Sequence, residues 1–334
     1  MESFKKMASV LGIVLIAASS ANAMEFKGSK NIPVVNGVAE IMMGATTTGG
    51  WTYMYVSSAA KLISDKNPNI NVTPQITTGG GENLVRVAAG ELPVGVASAA
   101  YIDKYYHGSR KIKPCPQLRT LYGSPNSTLS VIVAAGSPYK TIEDLKGKKV
   151  SICNKGNSGQ LLVADLLKAM GRDNGYYNLQ YLTPSESMDA LKTGNIDSLW
   201  ICACDPHVAV TEIFAMHGGA RFIEFSQEQK ELFLKTHSYL SPAVRPAGTY
   251  IGQTEDYHSV GSPYALVVTE DFPEELAYEI AKTLDENYNE WTTIFAGVKG
   301  ATAHNTIDTQ IAPLHPGTER YFREKGYIKD LPVL

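Results

Sequence analysis

Strand-like and helix-like stretches alternate along almost the whole chain, and this alternation restricts the fold more than any other feature. "INVTPQIT" reads as a strand, "GENLVRVAAGEL" as a helix and "VGVASAA" as a short buried strand. Further on come "KKVSIC", "SGQLLVADLLKAMG", "NLQYLT", "SESMDALKTGN", "IDSLWICAC" and "DPHVAVTEIFAMHG". Strands separated by helical patterns of about 10–15 residues indicate βαβ units and mainly parallel sheets. No fixed-period repeat and no low-complexity tract interrupts the pattern, so the expected fold class is α/β.

Two segments share a form. "TLSVIVAAGSPYKTIEDLKGKKVSI" passes from a long apolar strand through a Ser-Pro turn into a short helix. "HSVGSPYALVVTEDFPEELAYEIAKTLDEN" passes from an apolar strand into a Pro-led helix start. There Glu270, Asp271, Glu274 and Glu275 suit the positive end of the helix. If both long strands cross between lobes, the first lobe is discontinuous. The expected division is residues 30–130 plus 262–334 for lobe 1 and 131–261 for lobe 2, joined by a hinge of crossing strands. A chain of 334 residues has the length of two ordinary domains.

Residues 1–23 read as a signal peptide. "MESFKK" is a short positive head, "MASVLGIVLIAASS" is too short to span a membrane as an ordinary helix, and Ala21-Asn22-Ala23 gives a small-x-small cleavage pattern. The expected product is exported, soluble and periplasmic. A formal charge of −3 without a basic cluster argues against nucleic acid and anionic membranes as partners.

In open α/β sheets, ligands bind outside the carboxyl ends of the strands. The stretches that follow the expected strands are "TTTGGW" (46–51), "TTGGGEN" (77–83), "NKGNSGQ" (154–160) and "ACDP" (203–206). Three of the four are glycine-rich, carry hydroxyl or amide groups, and lead into a helix. Three such turns point to one concave site built from helix N-termini, which suit an anion or carboxylate. "NKGNSGQ" lacks the spacing of a P-loop, and no turn has the paired glycines and downstream acid of a dinucleotide fingerprint.

At this point a resemblance becomes specific. "TTGGWTYMYVSSAAKLI", "TGGGENLVRVAAGELPVGVA", "KTIEDLKGKKVSI", "YIGQTED" and "PLHPGTERYFREKGY" resemble, in order and spacing, the TAXI family of solute-binding proteins of TRAP (tripartite ATP-independent periplasmic) transporters. The resemblance implies a periplasmic binding protein of type II-like form, with two α/β lobes and a hinge. It also implies capture of a small organic anion, such as glutamate or 2-oxoglutarate, and delivery to integral-membrane TRAP permease subunits. No cofactor or metal is implied, and the receptor is expected to act as a monomer. The chain departs from the family at Trp51-Thr52-Tyr53-Met54, at Ser98-Ala99-Ala100 and at Cys153-Asn154-Lys155-Gly156-Asn157-Ser158-Gly159. Several of these positions line the family's site, so the ligand is open to difference.

The candidate contacts follow from these turns. Thr47, Thr48, Gly49 and Gly50 are expected to offer backbone N–H groups. The aromatic residues Trp51 and Tyr53 either wall the site or lie in the helix–sheet interface. Asn83 contacts ligand or caps its helix, Glu82 complements the helix dipole, and Ser98 stands at a site-lining position. Asn154, Asn157, Ser158 and Gly159 supply amide, hydroxyl and backbone groups, while Lys155 either neutralises a carboxylate or is solvated. Tyr250 and Gln253 are hinge or ligand residues. Asp205-Pro206 reads as a helix cap followed by proline. Arg86 and Arg245 are candidate carboxylate partners, and His207 and His217 read as helix-surface or interface residues.

Of the four cysteines, Cys153, Cys202 and Cys204 end two strands of the second lobe. A disulfide from Cys153 to Cys202 or Cys204 is expected if the side chains come within reach; the alternative is three free, buried thiols. Cys115 lies in the other lobe. The main functional reading is a solute receptor rather than an enzyme. Its competitor is an exported enzyme with a cysteine nucleophile or a thiolate metal site.

Overall fold

The structure is a computed structural model and describes residues 31–328 apart from 49, 110, 111 and 174. The signal-peptide expectation and Gly49 therefore lie outside the described residues. No helix among the described residues is long and apolar enough to cross a membrane.

The chain first forms β1 (Val34–Val35), β2 (Val38–Gly44), α1 (Trp51–Lys66), β3 (Ile70–Gln75), α2 (Gly80–Ala88), β4 (Val94–Ser98), α3 (Ala99–Tyr106) and β5 (Leu118–Gly123). It then crosses to β6 (Thr128–Ala134), β7 (Lys149–Ser151), α4 (Ser158–Ala169), β8 (Asn178–Gln180), α5 (Pro184–Lys192) and β9 (Ser198–Ala203). α6 (Val208–Phe214), β10 (Ala220–Ile223), α7 (Gln227–Thr236), β11 (Ser241–Arg245) and β12 (Tyr257–Gly261) follow. The chain returns through β13 (Tyr264–Thr269) to α8 (Glu274–Glu286), α9 (Tyr288–Ile294), α10 (Ala303–Thr309) and α11 (Pro316–Glu324).

The result is the two-lobed α/β fold of periplasmic binding proteins. One sheet runs β1-β2-β4-β13-β5 with β3 beside β2, a second runs β10-β6-β9-β7-β8, and β11 and β12 pair as a two-stranded sheet. The expectation of mainly parallel sheets needs one refinement. β2, β3 and β4 are parallel, as are β7, β8 and β9, but β13 runs antiparallel to β4 and β5, and β6 runs antiparallel to β9 and β10. β6 and β13 are the strands that directly follow the two crossings. Each begins where its parallel neighbours end: Tyr264 stands opposite Ser98, and Thr128 opposite Ala203.

Helices cover both faces of each sheet. In the first, Tyr55, Tyr122, Trp291 and Phe322 pack in one core, while Leu84, Val87, Ile102 and Leu118 pack in the other. In the second, alternation along β9 sends Trp200 and Cys202 to one core and Leu199, Ile201 and Ala203 to the opposite one. Local signals set the helix starts. α5 and α7 open with capping boxes, Thr183 with Glu186 and Ser226 with Gln229.

The crossings are short, spanning 124–127 and 262–263, and they bond to one another. Ser124 N–H donates to Tyr264 O at 2.8 Å, and Tyr264 N–H donates to Ser124 Oγ at 2.9 Å. Ser262 N–H donates to Ser127 Oγ at 3.2 Å, and that hydroxyl donates to Ser262 O. The backbones approach so closely that a Cβ on Gly261 would lie 2.0 Å from Ser127 O. Gly261→Ala is therefore expected to act like overpacking, at a cost of about 1–3 kcal/mol, and to lower the thermal midpoint by several degrees. An unchanged midpoint in a scanning calorimeter would show that the crossing tolerates separation.

Candidate functional site

The carboxyl ends of β2, β3, β7 and β9 face one cleft between the sheets. Three adjoining chambers of about 50, 190 and 30 Å³ occupy it. A cavity of about 10–15 Å³ on this measure already holds a water, so the space suits a small solute. Thr46 and Thr47, after β2, border two and three of the chambers respectively, and Asn157, at the start of α4, borders two.

The smallest chamber lies between helix starts. Gly79 and Gly80 bring it the first turn of α2, and Asn157 and Ser158 that of α4. α1 and α2 begin at Gly50 and Gly79 without a side-chain cap, so no capping group takes their first-turn N–H donors. At α4 the Asn157 Oδ1 accepts from Gly159 N–H at 2.8 Å. The two lobes touch here: a Cβ on Gly79 would lie 2.6 Å from the carbonyl oxygen of Gly156. Thr46 and Thr52 share a 2.5 Å hydroxyl–hydroxyl bond at the same wall. No lysine or arginine lines the three chambers among the described residues.

The structure brings Thr47, Thr48, Gly50, Trp51, Asn157 and Ser158 to the cleft. Trp51 belongs mostly to the core: its Nε1 donates to Gly297 O at 3.1 Å and its ring stacks on Tyr55. Other candidates lie elsewhere. Tyr53 packs against the first core, Ser98 is buried at the start of α3, and Asn154 bonds weakly to Lys155 O at 3.4 Å. Gly159 is buried in the first turn of α4, where an added Cβ would meet Cys153 Sγ. Asn83 is fully buried and donates to Ala45 O at 2.7 Å and Val96 O at 2.8 Å, so it clasps the ends of β2 and β4 rather than a ligand. Gln253 ties the turn after β11 by donating to Pro246 O and Glu255 O. Arg86 pairs with Glu82, and Lys155 lies over the Tyr181 ring.

Tyr250 and Arg245 sit behind the cleft wall. Arg245 is 2% exposed, with its guanidinium near the rings of Phe222, Tyr250 and Tyr257. Its Nε donates to Asp205 Oδ2 and its Nη2 to Ser130 Oγ, both at 2.8 Å. The Tyr250 hydroxyl donates to Asp205 Oδ1 at 2.6 Å and accepts from His207 N–H at 2.9 Å. Asp205 is thus the centre of a buried frame rather than a simple helix cap, and Arg245 is spent on it.

That frame fixes His207, which sequence reasoning left outside the site. His207 is 6% exposed, borders the two larger chambers, and has no partner for its buried Nδ1. Burial, aided by the Arg245 charge and opposed by Asp205, lowers its pKa to about 4. The available signal was its position just past the end of β9. Pro184 and Tyr264 are further cleft residues outside the four turns, and Thr78 of the second turn joins them.

The cysteines differ from the expected cross-link: all four are free and buried. Cys153 packs with Ile201 and Ala203 on one face of the second sheet, whereas Cys202 packs with Trp200 on the other. Cys204 joins the core of the first sheet. Three of the thiols bond to oxygen: Cys153 to Trp200 O, Cys202 to Ser127 Oγ and Cys204 to Pro125 O. Burial pushes Cys153 up to about 12 and Cys202 up to about 11, so both are protonated thiols at neutral pH. No group of His, Cys, Asp and Glu suited to hold a metal is found among the described residues.

Comparison with known proteins gives a family and a fold. The sequence profile described as the NMT1-like family matches residues 43–326. A protein of Escherichia coli (strain K12), provisionally named an aliphatic sulfonates-binding protein, is 27% identical over 180 residues. That match covers 53% of this chain and only 43% of the relative. A solved structure from Bordetella bronchiseptica RB50 superposes with a TM-score of 0.52 at 15% identity, covering 86% of this chain and 98% of that one. A protein from Listeria monocytogenes, provisionally named an L-cystine ABC transporter, does so with 0.50 at 13%, covering 78% and 96%.

The buried imidazoles make a pH prediction. His207 and His315 both have pKa values lowered from 6.5 to about 4, chiefly by burial. The unfolded chain therefore binds protons that the folded chain refuses. Their contribution to stability is complete above about pH 6.5 and is lost as the pH falls toward 4, by an amount on the order of a few kcal/mol for each. Urea midpoints are expected to fall between pH 7 and pH 4.5, and to fall less in His207→Phe. An equal fall in the variant would show that His207 protonates freely in the fold.

Proposed function

The chain belongs to the NMT1-like family, and from that premise we propose that it is a periplasmic solute receptor, which captures a small organic anion between its lobes and presents it to a membrane permease. The observation that carries this reading is the convergence of strand-end turns from both sheets on one small cleft. Uncapped helix starts and threonine hydroxyls face it, with no lysine or arginine among the described residues. Helix N-termini present N–H donors and a positive partial charge, which suit an anion without a counter-cation. The lobes proposed to move are 30–130 with 262–334 and 131–261, with the bonded crossings as their hinge.

The head group is an oxyanion. The sequence resemblance points to a carboxylate, as in an acidic amino acid or dicarboxylate, and the name of the Escherichia coli relative points to a sulfonate. Both present acceptor oxygens to the same donors. The sequence motifs favour a TRAP permease, and the Listeria relative is named for an ABC system; uptake that runs on an ion gradient without ATP would assign the first. The competing enzyme reading gains no support from the cysteines, since a nucleophile needs a thiolate or an activating base. The bonds of Cys153 and Cys202 go to a carbonyl and a hydroxyl.

Two outcomes test the reading. Thermal-shift screening is expected to show stabilisation by short dicarboxylates, acidic amino acids or alkanesulfonates, since a ligand at about 100 times its dissociation constant contributes about 2.7 kcal/mol. Stabilisation by neutral or cationic compounds alone would remove the anion assignment. Gly79→Ala places a methyl against Gly156 O and opposes the closed contact of the lobes. It is expected to weaken binding about tenfold or more, equivalent to at least about 1.4 kcal/mol, with the circular dichroism spectrum unchanged. Undiminished affinity would mean that this contact is not part of the bound state.

A further inference from the structure

The cleft has two chemically different ends. The chamber that holds Gly79, Gly80 and Ser158 does not reach His207, and the chambers that hold His207 do not reach Gly79 or Ser158. An anionic head seated at the start of α2 and α4 therefore leaves the rest of the solute directed toward His207. The groups at that end include acceptors: the Glu212 carboxylate borders the same chamber.

His207 is unusual among the buried polar side chains of this wall. Its backbone is clamped by the Tyr250 hydroxyl, and Asp205 and Arg245 hold that hydroxyl in turn. Its ring forms no hydrogen bond among the described residues, and Nδ1 is buried without a partner. Leaving a buried polar group unpaired is costly, and the cost is recovered when a ligand supplies the partner. A neutral imidazole has one N–H and one acceptor nitrogen, and the tautomer is set by whichever bond forms. The start of α1 at Gly50 also borders these chambers, and with the Glu212 carboxylate beside the ring the partner taken at this end is a hydrogen-bond donor.

We infer that His207 is the specificity-determining residue of the cleft, accepting a hydrogen bond from a hydroxyl or amine carried by the anionic solute a few atoms from its acid head. This rests on the reading of the cleft as an anion-binding site. The preferred class is then a hydroxy- or amino-substituted acid rather than a plain alkyl acid. Asp205, Arg245 and Tyr250 are positioning residues that hold the imidazole without touching the solute.

The test is calorimetric titration of the full protein with matched acids: ethanesulfonate against 2-hydroxyethanesulfonate and 2-aminoethanesulfonate, and glutarate against 2-hydroxyglutarate and glutamate. The wild type is expected to prefer a substituted member of a pair about tenfold or more. His207→Phe is expected to bring that ratio to near one, and His207→Gln, which keeps an acceptor, to retain part of it. If the phenylalanine variant does not fold, the comparison passes to His207→Gln and His207→Leu. A wild-type ratio of one, or a ratio that survives removal of the imidazole, overturns the inference while leaving the anion receptor intact. Failure of every acid to bind the wild type removes both.

Discussion

The contact between the two crossing segments governs the rest of the molecule. Ser124 and Tyr264 exchange bonds on the first-sheet side, Ser127 and Ser262 on the other, and Gly261 has no room for a side chain. Because both crossings pass through this one place, the strands entering each sheet must start at its cleft edge and run against their neighbours. The sheets consequently present the carboxyl ends of their parallel strands to each other. The cleft, its helix starts and its hydroxyls are consequences of where the chain crosses.

Charge is arranged in the same spirit. The proposed ligand is an anion, yet the nearest buried cation, Arg245, is turned away from the cleft and neutralised by Asp205 at 2.8 Å. Burying such a pair is expensive, and its worth lies more in the geometry it fixes than in net stability. Here the geometry is that of the turn between β9 and α6. The pair holds the Tyr250 hydroxyl, which holds the backbone of His207. A cation placed in the cleft would bind anions strongly but with little dependence on lobe position. On the proposed reading, donors divided between the lobes are assembled only on closure.

The sequence made the alternation of elements, the use of strand-end turns and the crossing of the chain between lobes legible, because periodicity and glycine content are local properties. The carboxyl-edge rule then located Thr47, Gly50, Asn157 and Ser158 at the cleft. What the sequence did not reveal depends on partners far along the chain. Asn83 reads equally well as a cap or a contact until Ala45 and Val96 are seen to accept its amide protons. Tyr250 and Arg245 carry groups that suit a ligand, and only the fold shows that Asp205 has taken them. The expected disulfide failed on alternation: Cys202 and Cys153 share a sheet edge but pack on opposite faces.

The same reasoning explains why His207 was passed over and why it matters. In sequence it follows a proline at the start of a short helix, a place where a histidine is ordinarily solvated. The fold instead buries it, lowers its affinity for protons, and leaves its Nδ1 without a partner among the described residues. Asp205 pairs with Arg245 and Tyr250, and Ser130 pairs with Arg245. Selectivity in a small cleft comes most sharply from a buried polar group that the wrong ligand leaves unpaired. On the proposed reading, the helix starts accept any oxyanion of suitable size, and discrimination falls to the one ring that the frame holds rigid and unsatisfied.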